Sequence, residues 1–200
     1  MKYYNLFPRH KYPWLATLYA IVLTAKPKTI IEYGTENGGT AIVMALALKE
    51  LYESEGHVGK VFTYDTYEMQ SKGEIGSNPN YAVTLNNIKQ WQLQDFIVAE
   101  YGDFFEFCSL KNKQFDMLYF DIDNDGDKLL EMYDGCKSNI ESGSIVMFEG
   151  GSKTRDNVPW MIEKNKTKMT DVNVPYKLLT PDQKYSCSIL YNENIYDLTL

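Results

Sequence analysis

Residues 30–41 read IIEYGTENGGTA. Two β-branched isoleucines lead into Glu32, a turn holding Gly34, Gly38 and Gly39 follows, and a long apolar helix opens near Thr40. A strand that ends in a glycine turn and passes into a helix is the first half of a βαβ unit. Glycines admit positive φ and let a ligand approach the backbone. The helix N-terminus adds free N–H groups and partial positive charge. The dinucleotide fingerprint G-x-G-x-x-G is not met, because its second glycine, counted from Gly34, falls at Glu36; only Gly39 fits the third. An acid there repels a pyrophosphate, and Glu32 suits a cationic or amine-bearing ligand. A plain tight turn is the alternative.

Outward from this stretch, strands and helices alternate. WLATLYAIVLTA (14–25) has helical spacing and Pro27 ends it; KTIIEYG (28–34) is a buried strand. Residues 39–56 form a helix closed by Gly56, and KVFTYD (60–65) is the next strand. MQSKGEIGSNPN (69–80) is a mobile loop and YAVTLNNIKQWQ (81–92) a helix. DFIVAEYGD (95–103), FDMLYFDID (115–123) and SIVMFEG (144–150) are strands; 127–140 is an amphipathic helix and 141–143 a turn. Residues 154–165 read as a helix with Pro159 in its first turn or breaking it. Segments 175–181 and 185–192 read as a closing hairpin. The pattern predicts an α/β Rossmann-like, doubly wound, mainly parallel sheet with helices on both faces and a C-terminal antiparallel hairpin. Ligands of such sheets bind at the C-terminal strand ends, so each motif is tested for that position.

Bulk properties narrow the function. The 200 residues fit one domain, and a net charge of -7 argues against nucleic acid as partner. The locally basic stretch 153–168 reads as a solvated helix face. Cys108, Cys136 and Cys187 lie far apart, which argues against a disulfide framework or zinc site and places the chain in a reducing compartment, the cytoplasm. The N-terminus lacks the apolar core of a signal peptide, and the longest apolar run, AIVMALAL (41–48), is too short to span a bilayer. No membrane partner is expected.

Further acids fall at strand ends. Asp65 ends the second strand, where a carboxylate can accept both hydroxyls of a ribose; its distance from Gly34 exceeds the roughly 20 residues usual for the dinucleotide fingerprint. Asp103 and Phe104 follow the third strand and either contact an adenine or serve as helix N-cap and core residue. DIDNDGD (121–127) imitates the start of a calcium loop, but position 12 is Met132, position 8 is Lys128, and a strand precedes it instead of a helix. That leaves Asp121 and Asp123 at the ligand edge. Glu149 ends the fifth strand before paired glycines; it either joins Asp121 and Asp123 around a divalent metal or pairs with Lys153 or Arg155. SNPNY (77–81) and the two histidines, His10 and His57, carry no chemistry we can use, and both histidines read as surface residues.

Together these motifs resemble the class I S-adenosylmethionine-dependent methyltransferases. IIEYGTENGGT matches the glycine motif, VFTYDT the ribose acid, EYGDFFEF the adenine segment, FDMLYFDID the fourth-strand motif and NIESGSIVMFEGG the segment before the fifth strand. The last two look most like the branch of small-molecule and sugar O-methyltransferases called Methyltransferase 24, and FEGGSKTRDNVPWM resembles members from phage genomes. The resemblance covers roughly residues 28–150. It implies a cofactor-binding core there, a helical extension over 1–27, and a substrate-side and hairpin segment over 151–200.

S-adenosyl-L-methionine is the implied cofactor. Glu32, Gly34 and Gly38 or Gly39 would lie against its methionine portion, with Thr35, Glu36 and Asn37 as loop. Asp65, beside Thr66, would bind the ribose, and Asp103 and Phe104 the adenine. Asp121 would lie near the amine and the methyl group, with Asp121 or Asp123 as base. Mg2+ held by Asp121, Asp123 and Glu149 is the alternative to a base. The branch commonly carries D-x-D-H where this chain has Asp121-Ile122-Asp123-Asn124, and asparagine cannot take a proton. Metal-using members carry Asp-Asn after the fifth strand, where this chain has Glu149-Gly150. The implied activity is O-methylation of a small molecule such as a sugar. The alternatives are a non-catalytic binding module and a calcium-responsive one. Acceptor and oligomeric state stay open.

Overall fold

The computed structural model describes residues 14–67, 81–104, 114–122 and 124–191. The loop 69–80, His10, Cys108 and Asp123 therefore lie outside the described residues. The chain forms two compact units, Met1–Phe104 and Phe105–Leu200.

In the first unit, helix α1 (Trp14–Ala25) precedes strand β1 (Thr29–Tyr33), helix α2 (Gly39–Glu55), strand β2 (Lys60–Asp65), helix α3 (Tyr81–Gln90) and strand β3 (Ile97–Tyr101). The β1 strand pairs with β2 and β2 with β3, both parallel, with Glu32 opposite Thr63 and Asp65 opposite Tyr101. Four of the five β1 residues are buried, as a parallel strand covered on both faces requires. Helix α2 is buried at every position from Thr40 to Leu48, which is why its sequence is apolar without period. Its N-cap, Gly38, has φ 86, and Gly56 at φ 70 closes it as expected. Helix α1 turns Trp14, Leu15, Leu18, Tyr19 and Val22 inward and packs on α2. Each large apolar side chain so buried contributes about 1.5–3 kcal/mol. The Tyr19 hydroxyl donates to Glu50 on α2, fixing the register of that contact.

In the second unit, strand β4 (Met117–Phe120), helix α4 (Gly126–Glu141), strand β5 (Ile145–Glu149), helix α5 (Pro159–Glu163), strand β6 (Tyr176–Leu178) and strand β7 (Cys187–Leu190) follow in order. All four β4 residues are buried. The β4 and β5 strands are parallel; β7 is antiparallel to both β5 and β6. The expected C-terminal hairpin is present, with β7 inserted between β5 and β6. Strand order is β3-β2-β1-β4-β5-β7-β6, a mixed and mostly parallel sheet of the expected class. No helix among the described residues is long and apolar enough to cross a membrane.

The structure refines three local expectations. Residues 154–165 do not make one helix: Arg155–Asn157 is a 3-10 turn, and Val158 is extended (φ -68, ψ 151) before Pro159 starts α5. The residue before a proline is pushed out of helical geometry, and proline itself suits the first helical position. The stretch is solvated as expected at Lys153 and at 162–165, but Arg155 and Asp156 turn inward, at 7% and 1% exposed. His57 is likewise half-buried, 3.1 Å from the Pro27 carbonyl oxygen.

Candidate active site

Parallel strands β1, β2 and β3 end at Tyr33, Asp65 and Tyr101, so the glycine loop, Asp65 and Asp103–Phe104 share one edge of the first unit. Glu32 lies beneath the loop with no solvent exposure. Its carboxylate accepts hydrogen bonds from the Thr40 hydroxyl and, at 2.5 Å, from the Thr63 hydroxyl. Thr63 has one proton and gives it to Glu32, so Thr35, 2.5 Å away, donates to Thr63. Burial pushes the Glu32 carboxyl up to about 7; the threonine bonds oppose this and the Asp65 charge adds to it.

The loop over this acid is fixed in an unusual conformation. Gly34 and Gly38 have φ 94 and 86, and Glu36, a non-glycine, has φ 48. Gly34 N–H donates to the Tyr64 carbonyl at 3.0 Å. Helix α3 holds the loop from the side: Thr84 donates to the Glu36 carbonyl at 2.8 Å and Asn87 to the Asn37 carbonyl at 2.9 Å. Three residues apart, Thr84 and Asn87 share a helix face. Asp65 takes the Glu36 N–H at 2.8 Å on one oxygen and the Tyr67 N–H at 3.1 Å on the other. Each oxygen keeps a second lone pair, enough for a diol. The Glu36 carboxyl is held above its ordinary range by partial burial and then by Asp65.

Aromatic rings line the same edge. Tyr33 stacks on Tyr64 at 5.3 Å, and Phe104, 3% exposed, meets Tyr33 edge-on at 6.1 Å. Tyr67 packs against Tyr81 and Tyr101 at 5.1 and 5.3 Å. Asp103 is half-buried, as is Thr66.

In the second unit, β4 and β5 pair Phe120 with Phe148, so Asp121 and Glu149 leave the sheet at the same edge. Asn124 is 2% exposed, and its amide donates to the Phe120 carbonyl at 3.2 Å and the Glu149 carbonyl at 2.7 Å. It clips the two strand ends together. Asp125 caps α4, accepting from Lys128 N–H at 3.0 Å and from Lys166 at 2.9 Å. That role accounts for one more acid of the false calcium loop, and buried Met132 for its missing ligand. Glu149 is 5% exposed, and Arg155 Nε lies 2.9 Å from both of its carboxylate oxygens. Of the two outcomes open for Glu149, the pairing with Arg155 is the one present. Among the described residues, no group of three or more His, Cys, Asp or Glu side chains is arranged to hold a metal. Gly150 has φ 115, a conformation that favours glycine, and a Cβ there would lie 2.3 Å from the Met169 methyl and displace it.

A family model described as a methyltransferase domain, Methyltransf_24, matches residues 31–149. The chain belongs to the Methyltransferase 24 family. Solved structures share its fold. TomG, an O-methyltransferase from Streptomyces achromogenes involved in tomaymycin synthesis and solved with SAM, has TM-score 0.55 and 14% identity over 90% of this chain and 80% of that one. The O-methyltransferase from Bacillus cereus, solved with SAH, has TM-score 0.57 and 16% identity over 90% and 81%. SAH-bound methyltransferase PaMTH1 from Podospora anserina has TM-score 0.55 and 15% identity over 90% and 78%. No curated protein matches the sequence.

Within this methyltransferase, Glu32, Gly34 to Gly39 and Asp65 come together, with Asp103 and Phe104 on the same edge. Asp123 lies outside the described residues. Sequence reading missed Thr63, Thr84, Asn87 and Tyr67, whereas the pairing of Glu149 with Arg155 is one of the two outcomes it left open. Thr63 carried a usable signal: two positions before Asp65 on one strand, it shares that acid's face.

Proposed function

We propose that the chain is an S-adenosylmethionine-dependent methyltransferase that O-methylates a small molecule, a sugar hydroxyl being the acceptor class we favour. One observation carries the reading: a fully buried glutamate lies beneath a glycine loop, with a second carboxylate, Asp65, bonded into that loop from the next strand end. S-adenosylmethionine has the complementary groups, an amine and a sulfonium for the acids and a ribose diol for Asp65. We assign Glu32 and the loop Gly34, Thr35, Glu36, Asn37, Gly38, Gly39 to the methionine portion, Asp65 and Thr66 to the ribose, and Asp103 and Phe104 to the adenine.

The cofactor supplies an activated methyl group. An acceptor oxygen lone pair forms the new C–O bond as the C–S bond breaks, and its electrons pass to sulfur. Holding the oxygen about 3–3.5 Å from the methyl carbon supplies much of the rate. The hydroxyl proton goes to Asp121, or to Asp123, in our assignment. No step runs through Mg2+, since Glu149 is committed to Arg155. We place the enzyme in the cytoplasm; Cys136 and Cys187, both buried, suit a reducing compartment.

One observation favours a non-catalytic binding module as second reading. Asn124 stands where the family branch carries histidine, and its amide is spent on two carbonyls. Incubation with methyl-labelled S-adenosylmethionine and a panel of sugars, phenols and carboxylic acids separates the two. Label transfer with release of S-adenosylhomocysteine supports the enzyme. Cofactor binding with no transfer to any acceptor supports the module.

A further inference from the structure

Asp121 and Glu149 leave adjacent parallel strands at one edge, and both raise the pKa of the buried Cys187 thiol by their charge, burial being the larger cause. Asp156, 1% exposed, adds a third negative charge that acts on Glu149. Its own oxygens accept the Met169 and Thr170 N–H groups at 3.1 and 2.9 Å. Two buried carboxylates, Glu149 and Asp156, with half-buried Asp121 at the same edge, favour a cation among them. Arg155 is there, 7% exposed, its Nε 2.9 Å from both Glu149 oxygens and its guanidinium over the Trp160 ring at 5.1 Å.

The way Arg155 is held says what it is for. Its Nη1 is buried with no hydrogen-bond partner, so the guanidinium is not a donor set matched bond for bond to its surroundings. A neutral amide could also donate to Glu149. What a guanidinium adds is a charge that no ordinary pH removes.

We propose that Arg155 is the resident cation of this acid cluster, occupying the place a divalent ion would take, and that the methyltransferase centre therefore works without metal. This rests on the methyltransferase reading only for its last clause. The charge at Glu149 is then fixed at every metal concentration, and chelators do not reach it.

The test uses the full-length chain and Mn2+ alone, read as loss of the free-ion signal by electron paramagnetic resonance. Wild type is expected to leave the signal undiminished. Arg155→Ala, checked for folding by circular dichroism, is expected to take up about one equivalent, and Glu149→Gln on that background to abolish the uptake. Arg155→Gln keeps the length and an N–H donor while removing the charge, so it takes over if Arg155→Ala does not fold. Uptake of one Mn2+ by wild type that Glu149→Gln abolishes would overturn the proposal. So would folded charge-removed variants that bind none. Neither arm needs the methyl donor, so a chain that binds no S-adenosylmethionine but shows the expected Mn2+ pattern sinks the enzyme reading and spares the Arg155 assignment.

Discussion

Glu32 is buried among threonine hydroxyls, and its carboxyl is raised from 4.5 to about 7, first by lost hydration. A carboxyl raised on folding favours the folded state while neutral. That contribution is full below about pH 4.5 and is lost as pH rises through about 7. Glu32→Gln cannot ionise, so urea unfolding should show it gaining on wild type between those limits, by at most about 3 kcal/mol, then levelling off. A pH-independent difference would contradict the assignment. The same carboxyl gives cofactor binding a pH signature. A cationic ligand favours the ionised form, so affinity for S-adenosylmethionine should rise with pH up to about 7, with proton release on binding. Calorimetry in buffers of different ionisation heat reads that release, and a buffer-independent heat would count against Glu32 as the partner of the cation.

At the scale of elements, the glycine loop owes its shape to α3 as well as to its own glycines. Thr84→Val and Asn87→Ala each remove one hydrogen bond to a loop carbonyl. Each should cost about 1 kcal/mol in stability. Each should also weaken cofactor binding several-fold, whereas exposed Val83→Ala on the same helix should leave affinity unchanged. Helix α4 offers a separate check. Burial pushes Asp125 up, but Lys166 and the Lys128 N–H outweigh it, so its pKa is lowered. Its stabilising contribution is present above the ordinary carboxylate range and is lost as pH falls through the lowered value. Asp125→Ala should cost about 1 kcal/mol at neutral pH, read by urea unfolding, with the deficit shrinking in acid.

Which elements were legible follows from what sets them. The buried strands and helix α2 announce themselves through short β-branched runs, apolar length and Gly56. Contacts set by register do not: nothing local pairs Glu32 with Thr63, which lies 31 positions away and meets it only once β1 and β2 align. For residues 154–165 the sequence left open whether Pro159 breaks the helix and whether Glu149 pairs with Arg155; Val158 turning extended and delivering Arg155 inward decides both. Asn124 was read as a missing base, and the position proves to hold two strand ends together.

For the whole molecule, the order of motifs along the chain was more telling than any single motif. Each is degenerate alone; together they foretold a doubly wound, mainly parallel sheet with a C-terminal antiparallel hairpin, and the structure adds its order, β3-β2-β1-β4-β5-β7-β6. Global folding should also govern thiol chemistry. Cys136 and Cys187 are fully buried, and burial pushes the Cys187 thiol well up, with Asp121 and Glu149 adding to it. Alkylation followed by peptide mass spectrometry should leave both unmodified in native buffer and label both in denaturant; labelling of either at the rate of a free thiol in the native state would contradict their placement. The central claim is that the loop over Glu32 binds S-adenosylmethionine, and calorimetric titration of the full chain with that ligand tests it most directly. The account predicts saturable binding at one site, weakened at least about tenfold by Asp65→Ala in a chain that circular dichroism shows still folded. Absence of heat up to millimolar ligand, or binding that Asp65→Ala leaves intact, would contradict it.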